Sequence, residues 1–319
     1  MATESTRERT ALITGASSGF GLLTAVTLAQ RGWHVIATLR DIARSERLLA
    51  AARKAGVTER MEILKLDVTK QEEIAALASE LMQRQTPLHA VVNNAGFAMA
   101  GFVDDVSDAE LRQQFDTNFF GAAAVTRAFI PQLRRQGFGH IVMVSSVSGR
   151  NGYPGVSCYA ASKFALEGWT ETLRYELAPL GIQVALVEPG SFDTNIWTRG
   201  AIHSAASLDA QSPNAARRQH LLAAMQARPG KGRGNPQDVA NGIARILEDP
   251  HPTLRHVFGK DAKLLLAIRA LLPWRVFEWI VMRASGLLGN GLRPVDSSIP
   301  RSQEADDPHS DGQVQNTKP

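Results

Sequence analysis

The chain has 319 residues and a formal net charge of +4, with 44% apolar and 21% charged residues, which is typical of a soluble globular protein. The small, dispersed basic excess argues against nucleic-acid binding, and the single cysteine, Cys158, excludes an intramolecular disulfide and argues against a disulfide-built secreted fold. The histidines show no zinc-binding spacing, so we predict no metal site.

The first nine residues are a predicted flexible arm (1–9), and a long uncharged stretch, 10–30, follows them. The centre of that stretch, 14–21, is rich in glycine and serine. A membrane-spanning helix needs about 20 mostly apolar residues, and a signal peptide needs an unbroken apolar core. We therefore expect no targeting segment and a cytoplasmic location.

Between residues 11 and 188, short apolar runs alternate with segments suited to helices. The predicted strands are Ala11–Thr14, His34–Thr38, Met61–Lys65, Ala90–Asn93, His140–Ser145 and Gln183–Glu188. The predicted helices are Gly21–Gln30, Gln71–Gln83, Asp108–Phe115, Phe119–Arg135 and Tyr159–Leu177. This alternation predicts an α/β fold, with a parallel sheet covered on both faces.

After Gly190 the pattern changes. Residues 191–235 have little strand pattern, and Pro236 begins a predicted amphipathic helix that ends near Glu248. Residues 258–291 are predicted to be a C-terminal helical extension, divided into two helices by a proline. Residues 292–319 are polar and are predicted to be a disordered tail.

A glycine-rich turn, Thr14-Gly15-Ala16-Ser17-Ser18-Gly19-Phe20-Gly21, follows the first predicted strand. Glycines at this point let backbone N–H groups approach a pyrophosphate at the N-terminus of the next helix. The spacing G-x-x-x-G-x-G differs from the common dinucleotide fingerprint. A plain strand-to-helix turn therefore remains the alternative for this segment taken alone.

Small polar residues follow two later strands, at Asn93-Asn94-Ala95-Gly96 and Ser145-Ser146, and such residues line the ligand crevice of open α/β sheets. Tyr159 and Lys163 are four residues apart and share one face of a predicted helix. A phenol has a reference pKa of about 10, and a neighbouring ammonium lowers that pKa. The pair therefore predicts a tyrosine that transfers protons.

In this order the motifs resemble those of the short-chain dehydrogenase/reductase family. They are T-G-x-x-x-G-x-G at 14–21, N-N-A-G at 93–96, Asn118, Ser146, Y-x-x-x-K at 159–163 and P-G-x-x-x-T at 189–194. The resemblance covers about residues 10–257. It implies a Rossmann-type doubly wound parallel sheet, forming one dinucleotide-binding catalytic domain over 10–257.

The resemblance also implies roles for four residues. Tyr159 would be the general acid in carbonyl reduction and the base in alcohol oxidation, and Lys163 would lower its pKa and hold the nicotinamide ribose. Ser146 would hydrogen-bond the substrate oxygen, and Asn118 would hold a water that links Lys163 to solvent. Ser145 is the less favoured serine, because strand alternation turns it to the other side. Capping of a strand or a helix is the alternative for Ser146 and Asn118.

The cofactor site implied by the resemblance consists of Gly15, Ser17, Ser18, Gly19, Gly21, Arg40, Asp67, Val68, Asn94, Ala95, Gly96, Tyr159, Lys163, Pro189, Gly190 and Thr194. For Asp67, a helix N-cap is the alternative. The acidic position after the second strand falls at Leu39, and Arg40, which suits a 2′-phosphate, follows it. We therefore predict NADP(H) over NAD(H), with the adjacent Asp41 and the non-basic Ser18 as the arguments against.

In the family, the segment corresponding to 191–235 covers the substrate. Apolar residues expected near the cleft are Phe97, Met99, Phe102, Val147, Val156, Cys158, Phe192 and Trp197, although a core position is an equal alternative for each. The stretch 261–288 mixes apolar residues with lysine and arginine, and resembles the extra segment of members that handle retinoids or steroids. Contact with a membrane surface, packing on the domain, covering the cleft and a dimer contact are all open alternatives for it.

We therefore predict an NADP(H)-dependent oxidoreductase that interconverts a hydrophobic alcohol and its aldehyde or ketone. A non-catalytic dinucleotide-binding sensor or scaffold on the same fold is the first alternative, and an epimerase or dehydratase is the second. The intact set of Ser146, Tyr159, Lys163 and Asn118 argues against a sensor. The predicted partner is a hydrophobic small molecule, and homo-oligomerisation is left open.

Overall fold

A computed structural model describes residues 9–194, 196, 201–226 and 234–287. The predicted arm up to residue 8, the predicted tail, residues 288–291 of the predicted extension and Trp197 lie outside the described residues. The strands are β1 (Thr10–Thr14), β2 (His34–Leu39), β3 (Met61–Lys65), β4 (Ala90–Asn93), β5 (Ala98–Ala100), β6 (Gly139–Val144), β7 (Ile182–Pro189), β8 (Ala201–His203) and β9 (Arg255–Phe258). The helices are α1 (Gly19–Gln30), α2 (Glu46–Ala55), α3 (Gln71–Gln83), α4 (Asp108–Phe115), α5 (Ala122–Gln136), α6 (Ser157–Leu177), α7 (Ala215–Gln226), α8 (Pro236–Glu248), α9 (Lys260–Leu271) and α10 (Trp274–Ala284).

Seven strands form one parallel sheet in the order β3-β2-β1-β4-β6-β7-β9, and β5 and β8 form a separate parallel pair. The central strands are almost entirely buried, which explains their continuous apolar runs. The strand order reverses between β1 and β4. In open α/β sheets this reversal opens a crevice at the carboxyl ends of the strands, where ligands bind.

Helices cover both faces of the sheet and build two apolar cores. On one face, α1, α2 and α8 contribute residues such as Leu28, Leu48 and Ile243. On the other face, α3, α5 and α6 contribute residues such as Phe129 and Leu166. Burial of each such side chain contributes about 1.5–3 kcal/mol. The predicted Rossmann-type single domain is thereby confirmed.

The elements that the sequence did not predict are short or peripheral. They are β5, β8 and β9, with three or four residues each, and the helices α2 and α7. Residues 191–235 therefore contain a strand and a helix, because β8 is stabilised by pairing with the distant β5 rather than by a local pattern. Among the described residues, no helix is long and apolar enough to cross a membrane.

Candidate active site

The glycine-rich turn brings the backbone of β1 and α1 close to the end of β4. Gly15 and Gly19 have positive φ angles of 69° and 56°, which a side chain would strain. A Cβ on Gly21 would lie 2.4 Å from Asn94 Nδ2. Ser18 is the N-cap of α1, but its side chain makes no capping hydrogen bond, and the first turn holds no acidic residue. The N-terminus of α1 is therefore suited to an anion such as a pyrophosphate.

The residues after β4 hold this turn in place. Asn94 Nδ2 donates to the carbonyl oxygens of Thr14 (2.9 Å) and Gly15 (3.0 Å). In return, Thr14 Oγ1 accepts hydrogen bonds from the backbone N–H groups of Asn94 (3.0 Å) and Ala95 (3.0 Å). Thr14 is the first residue of the T-G-x-x-x-G-x-G motif, but it was not among the predicted cofactor-binding residues. Asn94 and Ala95 lie against the turn. Gly96 leaves room for Asn118, because a Cβ added to Gly96 would lie 3.1 Å from Asn118 Oδ1.

Three residues at the end of β2 bear on the cofactor preference, and they lie in different environments. Leu39 is buried in the core, whereas Arg40, the next residue, is exposed. Asp41 accepts a hydrogen bond from the backbone N–H of Ala43 (3.0 Å) and forms an ion pair with Arg44 (3.4 Å). The carboxylate of Asp41 is therefore engaged in its own turn.

Asp67 lies beyond β3, close enough to Arg40 to feel its charge. Burial pushes the pKa of Asp67 up. The hydrogen bonds from the Thr69 N–H (3.0 Å) and Oγ1 (2.8 Å), together with the charges of Arg40 and Lys70, outweigh burial and leave the pKa lowered. Asp67 does not cap α3, whose N-cap is Lys70. The next residue, Val68, is buried and would be 2.7 Å from a Cβ on Gly121.

Asn118 lies within a π-helical segment, Asp116–Gly121, which joins α4 to α5 without a break. Its side chain is buried, accepts a hydrogen bond from the Phe97 N–H (3.1 Å), and donates to the Phe97 oxygen (3.0 Å) and to Ser162 Oγ (3.2 Å). Because the chain is helical on both sides of it, Asn118 is not a helix cap. It connects the segment after β4 to α6, and π-helical turns of this kind are frequent at functional sites.

Tyr159 lies in the first turn of α6, the long helix of the site, and is 3% exposed. Its hydroxyl is hydrogen-bonded to that of Ser146, whose Oγ also accepts from the Ser148 N–H (3.1 Å). Burial raises the pKa of Tyr159 to about 12, and the hydrogen bond to Ser146 opposes this rise. The direction is opposite to the lowering predicted from the sequence, because the desolvation of a buried phenolate dominates.

Lys163 is one turn along the same face of α6 and is 5% exposed. Its Nζ donates to the Val144 oxygen (2.8 Å) and lies 5.8 Å from the centre of the Tyr159 ring. Burial lowers the pKa of Lys163 to about 8, and the charge of Glu167 opposes this fall. At neutral pH the ammonium is therefore charged, yet it loses its proton far more readily than an exposed lysine does.

Ser145, the less favoured serine, lies close to Glu167. A Cβ on Gly149 would be 2.9 Å from Ser145 Oγ and 2.7 Å from Glu167 Cγ. Glu167 and Glu188 both form ion pairs with Arg255 (3.0 Å for Glu188). Burial, reinforced by Glu188, raises the pKa of Glu167. This charged network lies directly behind Lys163 and was not predicted from the sequence.

The loop after β7 is held by the start of α9. The Gly190 N–H donates to the Phe258 oxygen (2.8 Å), and the Ser191 N–H donates to Asp261 Oδ2 (2.8 Å). A Cβ on Gly190 would lie 2.8 Å from Asp261 Oδ1. Thr194 is further along this loop, and its N–H donates to the oxygen of Phe192 two residues before it. Asp261 therefore connects the C-terminal extension to the segment that begins at Pro189-Gly190. No sequence motif predicted this contact.

Helix α7 packs on Phe102 and on the segment between Ser146 and Tyr159. Leu221 Cδ2 would be 2.8 Å from a Cβ on Gly155, and the Arg217 guanidinium is 4.5 Å from the centre of the Phe102 ring. The segment before α7 is fastened by a hydrogen bond from the Ala205 N–H to Glu110 (2.9 Å). Among the residues predicted near the cleft, Met99, Phe102, Cys158 and Phe192 are buried, and Phe97, Val147 and Val156 are partly buried.

Comparisons with known proteins match the chain to one family. The model of the family described as short chain dehydrogenase matches residues 9–202. The uncharacterized oxidoreductase YusZ of Bacillus subtilis is 40% identical over 277 residues, which cover 86% of this chain and 98% of that protein. Retinol dehydrogenase 8 of Homo sapiens is 37% identical over 297 residues, covering 89% of this chain and 94% of that protein.

Solved structures share the fold. A short-chain dehydrogenase from Streptomyces avermitilis matches with a TM-score of 0.68 and 35% identity, over 86% of this chain and 98% of that chain. An alcohol dehydrogenase from the archaeon Thermococcus sibiricus, complexed with 5-hydroxy-NADP, matches with a TM-score of 0.63 over 79% of this chain and 96% of that chain. Its identity of 22% makes this a likeness of fold alone.

Proposed function

The chain belongs to the short-chain dehydrogenase/reductase family, and on that premise we propose that it is an NADP(H)-dependent oxidoreductase acting on a hydrophobic alcohol, aldehyde or ketone. The observation that carries the proposal is the buried Tyr159 hydroxyl, hydrogen-bonded to Ser146 and one helical turn from Lys163. The likeness to a retinol dehydrogenase supports a hydrophobic substrate.

The chain's own residues would move and hold the protons. With a pKa of about 12, Tyr159 stays protonated at neutral pH and is a proton donor for a carbonyl oxygen on which negative charge develops. Ser146 would donate a hydrogen bond to the same oxygen. Lys163, charged at neutral pH, would stabilise the phenolate that remains, and Asn118 would position Ser162 and the turn of α6 below it. The bound nicotinamide cofactor supplies the hydride.

The crevice fits a dinucleotide. The uncapped N-terminus of α1 and the close approach at Gly21 suit a pyrophosphate. Asp67 and Val68 would border the adenine, and the residues Pro189 to Thr194 would border the carboxamide. The glycines of the turn and Asn94 would hold the backbone in the shape that the pyrophosphate needs. Ser17 and Ser18 would contact its phosphate groups.

Arg40 supports NADP(H) over NAD(H). The guanidinium is exposed directly after β2, whereas the acid beside it, Asp41, is engaged with Ala43 and Arg44. A guanidinium at this position would bind a 2′-phosphate.

The cofactor assignment is tested by Arg40→Asp, with Michaelis constants measured for NADPH and NADH. We expect the preference for NADPH to fall by about tenfold or more, since a charge-assisted contact is lost and a repulsive one is introduced. Arg47→Asp, at an exposed arginine of α2 that is not paired with Asp41, is the matched control. An unchanged preference in Arg40→Asp would contradict the assignment.

The oxidoreductase activity is tested by NADPH consumption with aromatic aldehydes, retinal and ketosteroids. Turnover that disappears in Tyr159→Phe supports the proposal. If NADPH binds tightly but no member of the panel is turned over, the non-catalytic sensor is the better interpretation.

Helices α9 and α10 support a second proposal, contact with a membrane surface. Leu271 is 81% exposed and Trp274 is 58% exposed, and exposed arginines such as Arg275 lie beside them. Apolar and basic side chains on one helical surface bind anionic lipid interfaces. The double variant Leu271→Ser/Trp274→Ser should reduce sedimentation with anionic vesicles and leave turnover of a soluble aldehyde unchanged. Light scattering of the same variant would instead reveal a lost dimer contact.

A further inference from the structure

The elements that enclose the cleft carry polar atoms without hydrogen-bond partners among the described residues. They are both amide atoms of Asn151, Ser204 Oγ, Asn214 Nδ2 and Arg218 Nη1. Asn151 and Asn214 are each 3% exposed. Buried polar groups in proteins are almost always paired, so a group of unpaired ones around a cleft indicates a polar ligand atom that pairs with them.

Arg218 lies on the cleft side of helix α7. Asn214, Arg218 and Leu221 follow the spacing of one helix face, and that face is directed inward, since Asn214 is buried and Leu221 reaches Gly155. The hydrogen-bond acceptors near Arg218 in this segment already have donors. The side-chain oxygen of Asn214, Oδ1, accepts a hydrogen bond from Arg217 (2.8 Å).

The carboxylate of Asp105 contacts the same segment and already has a hydrogen-bond donor there. Asp105 Oδ1 accepts a hydrogen bond from Ser212 Oγ (2.7 Å), and Ser212 Oγ in turn accepts from the Asn214 N–H (3.1 Å). A buried guanidinium nitrogen without an acceptor is unfavourable. A carboxylate is its best partner, because two parallel N–H···O bonds match the planar shapes of both groups.

Asn151 is a buried residue of the segment that runs from Ser146 to Tyr159. Helix α7 packs on this segment at Gly155, four residues further along. The side-chain amide of Asn151 has two donor hydrogens and an acceptor oxygen, all buried, so it suits the oxygen atoms of a polar substrate group. The apolar residues Met99 and Phe102 are buried in the same region.

We infer that the substrate is an amphipathic carbonyl compound that carries a carboxylate at the end remote from the carbonyl, and that Arg218 binds this carboxylate with Asn151 as a second polar contact. The inference rests on the proposed oxidoreductase function and refines its substrate class. The carbonyl carbon accepts a hydride from NADPH, and its oxygen accepts the proton of Tyr159, which solvent restores. An alcohol and NADP⁺ result, and the remote carboxylate is unchanged.

The test compares two long-chain aldehydes of equal length, one with a terminal carboxylate and one with its methyl ester. We expect wild-type kcat/KM to favour the acid by about tenfold or more, since the ester leaves the guanidinium unpaired. Arg218→Met should remove this preference by raising KM for the acid alone, and Arg218→Lys should retain part of it. Arg217→Met removes the same charge from a guanidinium that already has partners, and should keep the preference.

Binding is measured in parallel, so that the test does not depend on turnover. With NADP⁺ present, the ω-hydroxy acid should raise the melting temperature of the wild type more than that of Arg218→Met. An equal rise in both proteins, or an unchanged acid-to-ester ratio in Arg218→Met, overturns the carboxylate site. Turnover of the ester alone would then leave the oxidoreductase proposal standing, whereas absence of turnover for both aldehydes, the retinoids and the ketosteroids would count against that proposal itself.

Discussion

Replacing Lys163 with methionine should stabilise the protein at neutral pH while removing its activity. Burial lowers the pKa of Lys163 from 10.5 to about 8, so holding the proton in the folded state costs roughly 3 kcal/mol at pH 7. Methionine has a similar length and no charge. The variant loses the hydrogen bond from Nζ to the Val144 oxygen (2.8 Å), which costs about 1–2 kcal/mol. The net stabilisation is then about 1–2 kcal/mol.

The pH dependence of this difference separates the charge from packing. Because the folded pKa is below the unfolded value, the unfolded state binds more protons between the two, and stability rises with pH there. The penalty of Lys163 is therefore full below pH 8 and is lost as the pH rises through 10.5. At pH 9.5 about half of it is gone, so the advantage of the methionine variant should shrink by about 2 kcal/mol relative to pH 7.

The assay is urea unfolding of both proteins without cofactor at pH 7 and pH 9.5, with reductase activity measured at pH 7. Packing contributions are the same at both pH values, so they cancel in the comparison. Lys54→Met, at an exposed lysine of α2, is the control and should show no such change. A stability difference for Lys163→Met that does not vary with pH would refute the reasoning.

Three further predictions concern the proton donor, the glycine turn and the loop after β7. Tyr159→Phe should lower kcat by about 10²–10⁴ and leave NADPH binding intact, and the pKa of about 12 predicts that wild-type alcohol oxidation still rises with pH at pH 10. Gly21→Ala should abolish NADPH binding in calorimetry, because the new Cβ would lie 2.4 Å from Asn94 Nδ2. Asp261→Ala should raise KM for NADPH several-fold, since it releases the Ser191 N–H.

Each of these has an outcome that contradicts it. A pH optimum for oxidation near 7 would be inconsistent with the raised pKa of Tyr159. Gly168→Ala, whose Cβ would meet no atom within 4 Å, is the control for Gly21→Ala, and equal binding by both variants would refute the close approach. Unchanged kinetics in Asp261→Ala would mean that the loop after β7 keeps its shape without α9.

The sequence by itself was sufficient for the fold class, and its motifs predicted the residues of the candidate site. Glycines at 15–21, the Tyr159–Lys163 spacing and the alternating strands and helices are local patterns, and local backbone chemistry determines them. The predicted bounds of α3, α4 and α8 match the structure for the same reason. These helices begin with a proline or with acidic residues in the first turn.

Only the tertiary structure decided the electrostatics and the long-range contacts of the site. The pKa of Tyr159 is raised rather than lowered, because desolvation depends on how completely the surrounding fold excludes water. Asp261 contacts Ser191 across 70 residues, and Leu221 of α7 packs close to Gly155. Such contacts leave no periodicity or spacing in the chain, since they form between segments that are distant in sequence.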